Sequence, residues 1–275
     1  MRWLQFILSH SIFISFCAAA LCYQTFWLLH IPVNVFIYGM VFFATLSSYN
    51  FYWLISKYYF SDTRRPRRFL LKHFSNTFIF SIAGLGLLYC LYFLPAIIPT
   101  VSIAVLLTLL YSLPLWPFKR LAFTRKAGFL KTVLLAFTWT YVTVMIPANA
   151  FFINSLSIGL LFVARFLFML MLCIIFDSRD INVDKIHSLR SLATDVSHKA
   201  LRVIMAIVFM LYLAAGFLLR YYFDDNAQLI AFFITGLITL LVYLLSLKKQ
   251  GYFFYYFLVD GMMLFSAAAT YVASI

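Results

Sequence analysis

The feature that most constrains this chain is a succession of apolar runs, each about 20 residues long, following one another with only short polar breaks. In hydrocarbon every backbone N–H and C=O must be satisfied within the segment, so runs of this length read as helices crossing a bilayer. Nine such spans are read, over 4–29, 31–55, 74–94, 96–113, 130–150, 153–176, 200–222, 227–246 and 252–273. They leave no stretch for a separate soluble domain. Residues 1–275 therefore read as a single integral membrane domain, an all-α bundle of nine transmembrane helices. A hydrophobic share of 65% and a mean hydropathy of +0.99 exclude an ordinary soluble domain. The run opening after Arg2 continues to about Leu29, too long for a signal peptide and without a cleavage site, so it reads as the first span.

The breaks are of two kinds. Those after spans 2, 4, 6 and 8 are long or basic: Lys57 to Lys72, Lys119 to Lys131, Arg179 to Arg202, and Lys248-Lys249. The alternate breaks carry almost no basic residue. Of the 21 Lys and Arg, only Arg165 and Arg220 fall outside the basic breaks and the N-terminus. By the positive-inside rule the N-terminus and the three large loops are cytoplasmic and the C-terminus is outside. The net charge of +13 is thereby explained by orientation and anionic lipid, without nucleic acid. Cys17, Cys22, Cys90 and Cys173 all lie in apolar runs without metal or redox spacing and read as small buried hydrophobes. Arg165 and Asp260 fall at membrane depth, where charges face the bundle interior and pair, so an ion pair between them is expected.

The third large loop opens with Asp177, Asp180 and Asp184, three of only eight acidic residues in a chain without glutamate. At about 100° per helical residue the i, i+3, i+7 spacing brings them within roughly 60° on one face. Three like charges on one stripe repel and call for a cation. A set of carboxylates alone suits Mg²⁺, which combines carboxylates with water and substrate phosphates. The competing reading is a solvated acidic turn at a helix end. In the first large loop, Arg64, Arg65, Arg67 and Arg68 form either a lipid-headgroup anchor or an anion site able to grip pyrophosphate. In the second, Pro114 and Pro117 stop a helix ahead of the Lys119-Arg120 pair.

Taken in order, these residues resemble the UbiA superfamily of intramembrane prenyltransferases. Asp177-Ser178-Arg179-Asp180-Ile181-Asn182-Val183-Asp184-Lys185, followed by Leu189-Arg190-Ser191-Leu192, is similar to the family's second aspartate-rich motif, DxxDxxxD, and its trailing basic segment. Tyr111-Ser112-Leu113-Pro114 with Lys119-Arg120 and Gly128 resembles its Y-S-x-P stretch. The resemblance implies a bundle around a central cavity open laterally to lipid. It also implies Mg²⁺-assisted transfer of a prenyl or polyprenyl group from a diphosphate to an acceptor, commonly an aromatic quinone precursor. On that basis Asp177, Asp180 and Asp184 are the catalytic, metal-holding residues. Asn50, Lys57, Arg64, Arg65, Lys119, Arg120, Lys185 and Arg190 are expected to bind diphosphate. Tyr58, Tyr111 and Arg165 are expected at the cavity, Arg165 as the deep cation for an acidic acceptor.

One departure stands out. The family's first motif, NxxxDxxxD, falls on Asn50, Leu54 and Tyr58, so both of its acidic positions are lost. Three readings follow: a divergent prenyltransferase using cationic side chains in place of one metal, a retained fold that binds lipid or quinone without catalysis, and a polytopic transporter. No phosphate loop, dinucleotide fingerprint or zinc spacing is present. The expected partners are a prenyl diphosphate, a lipophilic or aromatic acceptor and membrane lipid, with no obligate protein partner, in a multi-pass cell or inner membrane with the site loops cytoplasmic. Alkaline phosphatase fused after Ile275 in a bacterial host should be active, and the same fusion after Lys249 should be silent. The opposite pattern would reverse the orientation.

Overall fold

A computed structural model describes residues 2–59, 66–112, 128–149, 156–186, 191–223 and 226–275. Every regular element among them is helical, as backbone groups sealed from water require. The order is α1 Arg2–Ser9, α2 Ile12–Leu28, α3 Val35–Tyr59, α4 Pro66–Lys72 and α5 Phe74–Phe93. A 3-10 turn, Pro95–Ile97, leads into α6 Ile98–Ser112. Then come α7 Gly128–Thr140, a π-helical turn Tyr141–Met145 and α8 Ile146–Asn149, which together make one crossing. The long α9 Leu156–Ile186, the single turn α10 Leu192–Asp195, α11 His198–Phe223 and α12 Asn226–Ser246 follow. A second π-helical turn, Phe254–Val259, opens α13 Asp260–Val272.

Five of these stretches are long and apolar enough to cross a bilayer: Phe74–Phe93, Gly128–Asn149, Leu156–Arg179, His198–Tyr221 and Asn226–Ser246. The chain is a multi-pass, all-helical membrane protein. The expected first span, 4–29, is not one rod. It breaks at His10-Ser11, where α1 turns 67° from α2 and Ser11 takes a left-handed φ of 62°. Trp3 and Phe6 on α1 are exposed, as in a helix lying along a membrane surface. The carbonyl of His10 at the bend accepts from Asn50 Nδ2 at 3.1 Å, while Asn76 Nδ2 donates to Asn50 Oδ1 at 3.2 Å. The bend is thus pinned to α3 and α5.

The helices form a series of packed pairs, with α5 joined to α6 through the Pro95–Ile97 turn. α2 packs on α3, α3 on α5, α6 on α7, α7 on α9, α9 on α11, α11 on α12 and α12 on α13, which returns to α2. Gln24 of α2 fastens that return by donating to Thr270 Oγ1 at 2.7 Å and to Ser266 O and Oγ at 3.1 Å on α13. Interhelical hydrogen bonds of this kind contribute about 0.6 kcal/mol on average in a membrane. α9 is the spine: Leu161, Met171, Ile174 and Ile175 are wholly enclosed. The outward faces of α5 and α11 carry exposed Phe78, Ile82, Leu85, Ile207 and Met210, an apolar surface suited to lipid tails.

Pro147 explains the first π-helical turn. A proline cannot donate to the carbonyl four residues back, which is that of Thr143. The helix widens over Tyr141–Met145, and Thr25 Oγ1 of α2 donates to Thr143 O at 2.7 Å instead. Thr25→Val should therefore lower the detergent unfolding midpoint, at a cost of about 1–3 kcal/mol for a buried carbonyl left unsatisfied. Adding Pro147→Ala, which restores an N–H to the same carbonyl, should recover most of that loss. A double mutant no more stable than Thr25→Val would refute this account.

Candidate active site

α9 does not stop near residue 176. It runs to Ile186, carrying the backbone about 15 Å beyond the expected end of its span. Asp177, Asp180 and Asp184 thus lie in one continuous helix, and the helical register keeps them on one face. The side chains of Asp180, Asp184 and Lys185 lie outside the described residues, as do Arg64, Arg65, Lys119, Arg120 and Arg190 altogether.

The half-buried carboxylate of Asp177 is held from two directions. Thr132 Oγ1 of α7 donates to Oδ2, and the backbone N–H of Leu192, the first residue of α10, reaches the same oxygen at 3.3 Å. Leu192 N–H is shared with Thr132 Oγ1, also at 3.3 Å. One acidic side chain thereby ties α9, α7 and the returning turn at 191–195. Donors from two elements hold the carboxylate in place before any ligand arrives. Two residues on, Arg179 turns toward α13. Its guanidinium lies 5.1 Å from the rings of Phe176 and Tyr255 and 5.0 Å from that of Tyr256, as cation–π contacts.

An apolar cavity of about 380 Å³ lies beside this end of the bundle. It is bounded by α3, α5, α6 and the crossing that starts with α7. Tyr49, Tyr52, Tyr111 and Trp139 line the cavity, with Tyr52 stacked on Tyr111 at 5.3 Å and Tyr49 edge-on to Trp139 at 6.1 Å. Leu135, also in the wall, is one helical turn from Thr132, so the cavity and the Asp177 carboxylate share the face of α7.

The remaining expected site residues separate. Tyr111 is at the cavity. Tyr58 is not in its described wall: its ring meets Phe69 of α4 edge-on at 5.3 Å. Lys57 is exposed, with its ammonium 5.9 Å from the Trp53 ring. Asn50 is 1% exposed, with its amide engaged by His10, Leu46 and Asn76. Arg165 is 4% exposed and faces α2, donating to Leu21 O at 3.3 Å and to Thr25 Oγ1 at 3.5 Å. The expected Arg165–Asp260 ion pair is not formed. The cation whose field reaches Asp260 is Arg179, which stands about 21 Å along α9 from Arg165. Thr132, Tyr49 and Trp139 went unnoticed in the sequence, because a threonine or an aromatic in an apolar run carries no periodic signal of its own.

No protein-family model matches the sequence, and no curated protein matches it. Two solved structures are similar across almost the whole length. A UbiA homologue from Aeropyrum pernix aligns over 95% of this chain and 99% of its own, with a TM-score of 0.67 at 13% identity. A structure of digeranylgeranylglyceryl phosphate synthase aligns over 100% of this chain and 99% of its own, with a TM-score of 0.59 at 15% identity. The chain has the UbiA fold. Within it, Thr132→Val should lower stability by about 1.5–3 kcal/mol, the range for a hydrogen bond to a charged group. Thr132→Ser, which keeps the hydroxyl, should cost clearly less when both unfold in the same detergent.

Proposed function

We propose that this protein is an intramembrane prenyltransferase of the UbiA type, transferring a prenyl or polyprenyl group from a diphosphate to a lipophilic or aromatic acceptor. The observation that carries this reading is the acidic stripe, kept in register by the extension of α9 and set beside an apolar cavity. We place nine crossings in the bilayer, with Ile12–Leu28, Val35–Tyr59, Pro95–Ser112 and the last helix completing the set, the N-terminus cytoplasmic and the C-terminus outside.

The donor set fits Mg²⁺. It is made of carboxylate oxygens alone, and Asp177 is already oriented by Thr132 and Leu192. Asp177, Asp180 and Asp184 would hold the ion. When bound, it supplies positive charge against the diphosphate oxygens and so favours departure of the leaving group. Lys57, Arg64, Arg65, Lys119, Arg120, Lys185 and Arg190 sit at or near the same ends of the helices in sequence and offer cationic donors to the phosphates. The cavity would take the prenyl chain, whose apolar surface is matched by Met40, Val41, Ala44, Leu87 and Val101. Tyr49, Tyr52 and Trp139 present ring faces that attract a developing allylic cation.

A second reading keeps the fold and the lipid-binding cavity without catalysis. It is favoured by one observation: Asn50, the retained residue of the first motif, spends its amide on the α1 bend and on Asn76. Binding separates the two. Purified protein should bind a long-chain prenyl diphosphate in Mg²⁺ and lose it in EDTA, and Asp180→Asn or Asp184→Asn should weaken binding at least tenfold. Binding indifferent to Mg²⁺ and to both aspartates would sink the transferase reading.

A further inference from the structure

A second cavity, of about 540 Å³, lies at the end of the bundle opposite the acidic stripe. Its wall is built from the last turns of α2, the connection 30–33 that leads to α3, the first turn of α12 and the residues that follow α13. Tyr256, which Arg179 faces, lies roughly 27 Å along the last helix from Ser274 in this wall, so the two sites are separated by most of the bilayer. The volume falls within the roughly 300–1,000 Å³ of small-molecule sites. Among the described residues the wall holds no aspartate, glutamate, lysine or arginine.

Two polar side chains of that wall are not accounted for by the fold. Gln228, 5% exposed, donates from Nε2 to Thr270 O at 3.0 Å, but its Oε1 accepts from none of the described residues. A buried amide oxygen without a donor is costly unless a ligand supplies one. His30 is the other. α2 ends in a Schellman cap, in which Ile31 N–H donates to Phe26 O at 2.9 Å and His30 N–H to Trp27 O at 3.2 Å. The cap needs a left-handed φ at residue 30, here 51°, which glycine adopts freely and a residue with a Cβ does not. The chain has a histidine there, exposed, and so sets an imidazole able to donate or accept in the cavity wall. Beside it Tyr23 and Trp27 stack at 6.0 Å, ring surfaces of the kind found where a bilayer meets water.

We propose that this cavity binds the uncharged, hydroxyl-bearing head of a membrane lipid, a sugar or a glycerol. One hydroxyl donates to Gln228 Oε1 and another pairs with His30, while the rings of Tyr23 and Trp27 cover the C–H face of the head. A phosphate head finds no cation in the described wall, and an ammonium head finds no carboxylate, so either would lose its hydration without gaining a partner charge. Trp27 and Val33, both exposed, continue the wall as an apolar surface for the acyl chains. The site stands apart from the acidic stripe and does not depend on the transferase reading.

The experiment uses the full-length protein in dodecyldimethylamine oxide, a detergent without a sugar head, and counts bound lipid by native mass spectrometry. The probes are glucosyldiacylglycerol, phosphatidylcholine and phosphatidylglycerol with matched acyl chains. One glucosyl lipid should bind per chain, about tenfold or more tighter than either phospholipid. Gln228→Met, which removes the amide oxygen at similar volume, should weaken that binding about fivefold or more. His30→Gly should weaken it by a similar factor while leaving the unfolding temperature unchanged or higher, because glycine suits the cap. That variant separates a lost ligand contact from a lost fold. Equal affinity for all three lipids, or glucosyl lipid binding that neither substitution moves, would overturn the proposal. Displacement of the glucosyl lipid by free glucose as readily as by the lipid itself would identify a soluble sugar as the ligand and would also overturn it.

Discussion

The structure depends on one constraint: inside a bilayer a backbone carbonyl that loses its helical partner must find another. The chain departs from straight helices at a few places, and polar side chains from neighbouring helices answer several of them. The His10 carbonyl at the α1–α2 bend is met by Asn50. The Thr143 carbonyl, orphaned by Pro147, is met by Thr25. The N–H of Leu192, where the chain re-enters as α10, is met by Asp177 and Thr132. Each of these bonds joins elements distant in sequence, so the irregularities also tie the bundle together. Gln24 adds the closure between α2 and α13.

Charge is arranged by the same economy. Long side chains on one helix stand 1.5 Å apart per residue along its axis, so Arg165 and Arg179 serve different depths of the bundle. Arg165 answers Leu21 and Thr25 in the core. Arg179 turns to the aromatic face that precedes α13 and brings positive charge toward Asp260. Asp177 looks the other way, to α7. Asp177 and Arg179 thus turn to two different sides of α9.

The degenerate first motif acquires a physical meaning. In this chain the segment from Asn50 to Tyr58 is a structural joint: Asn50 holds the bent N-terminus, Leu54 is buried, and Tyr58 packs on Phe69. The proposed acidic stripe begins at Asp177, near the end of α9. The cavity lies against α3, on the face of that helix that carries Tyr49 and Tyr52 rather than Asn50. The π-helical turns flank the same region, one in the crossing that bounds the cavity and one immediately before Asp260. Widened turns of this kind are frequent at functional positions because they rotate the following residues out of the regular helical phase.

The sequence by itself determined that the chain is all-helical and membrane-embedded, because run length and composition report directly on transfer from water to hydrocarbon. It also determined the spacing of Asp177, Asp180 and Asp184 on one helical face, since that is a matter of local period, and it carried the likeness to the UbiA fold through the order of its motifs. Long-range pairing was not legible. That Asn50 reaches His10, that Arg165 answers α2 rather than Asp260, that Thr132 holds Asp177 and that the cavity is bounded by four helices all depend on which faces meet when the helices pack. Local period says which residues share a face. Only the packing of one helix against another decides what that face sees.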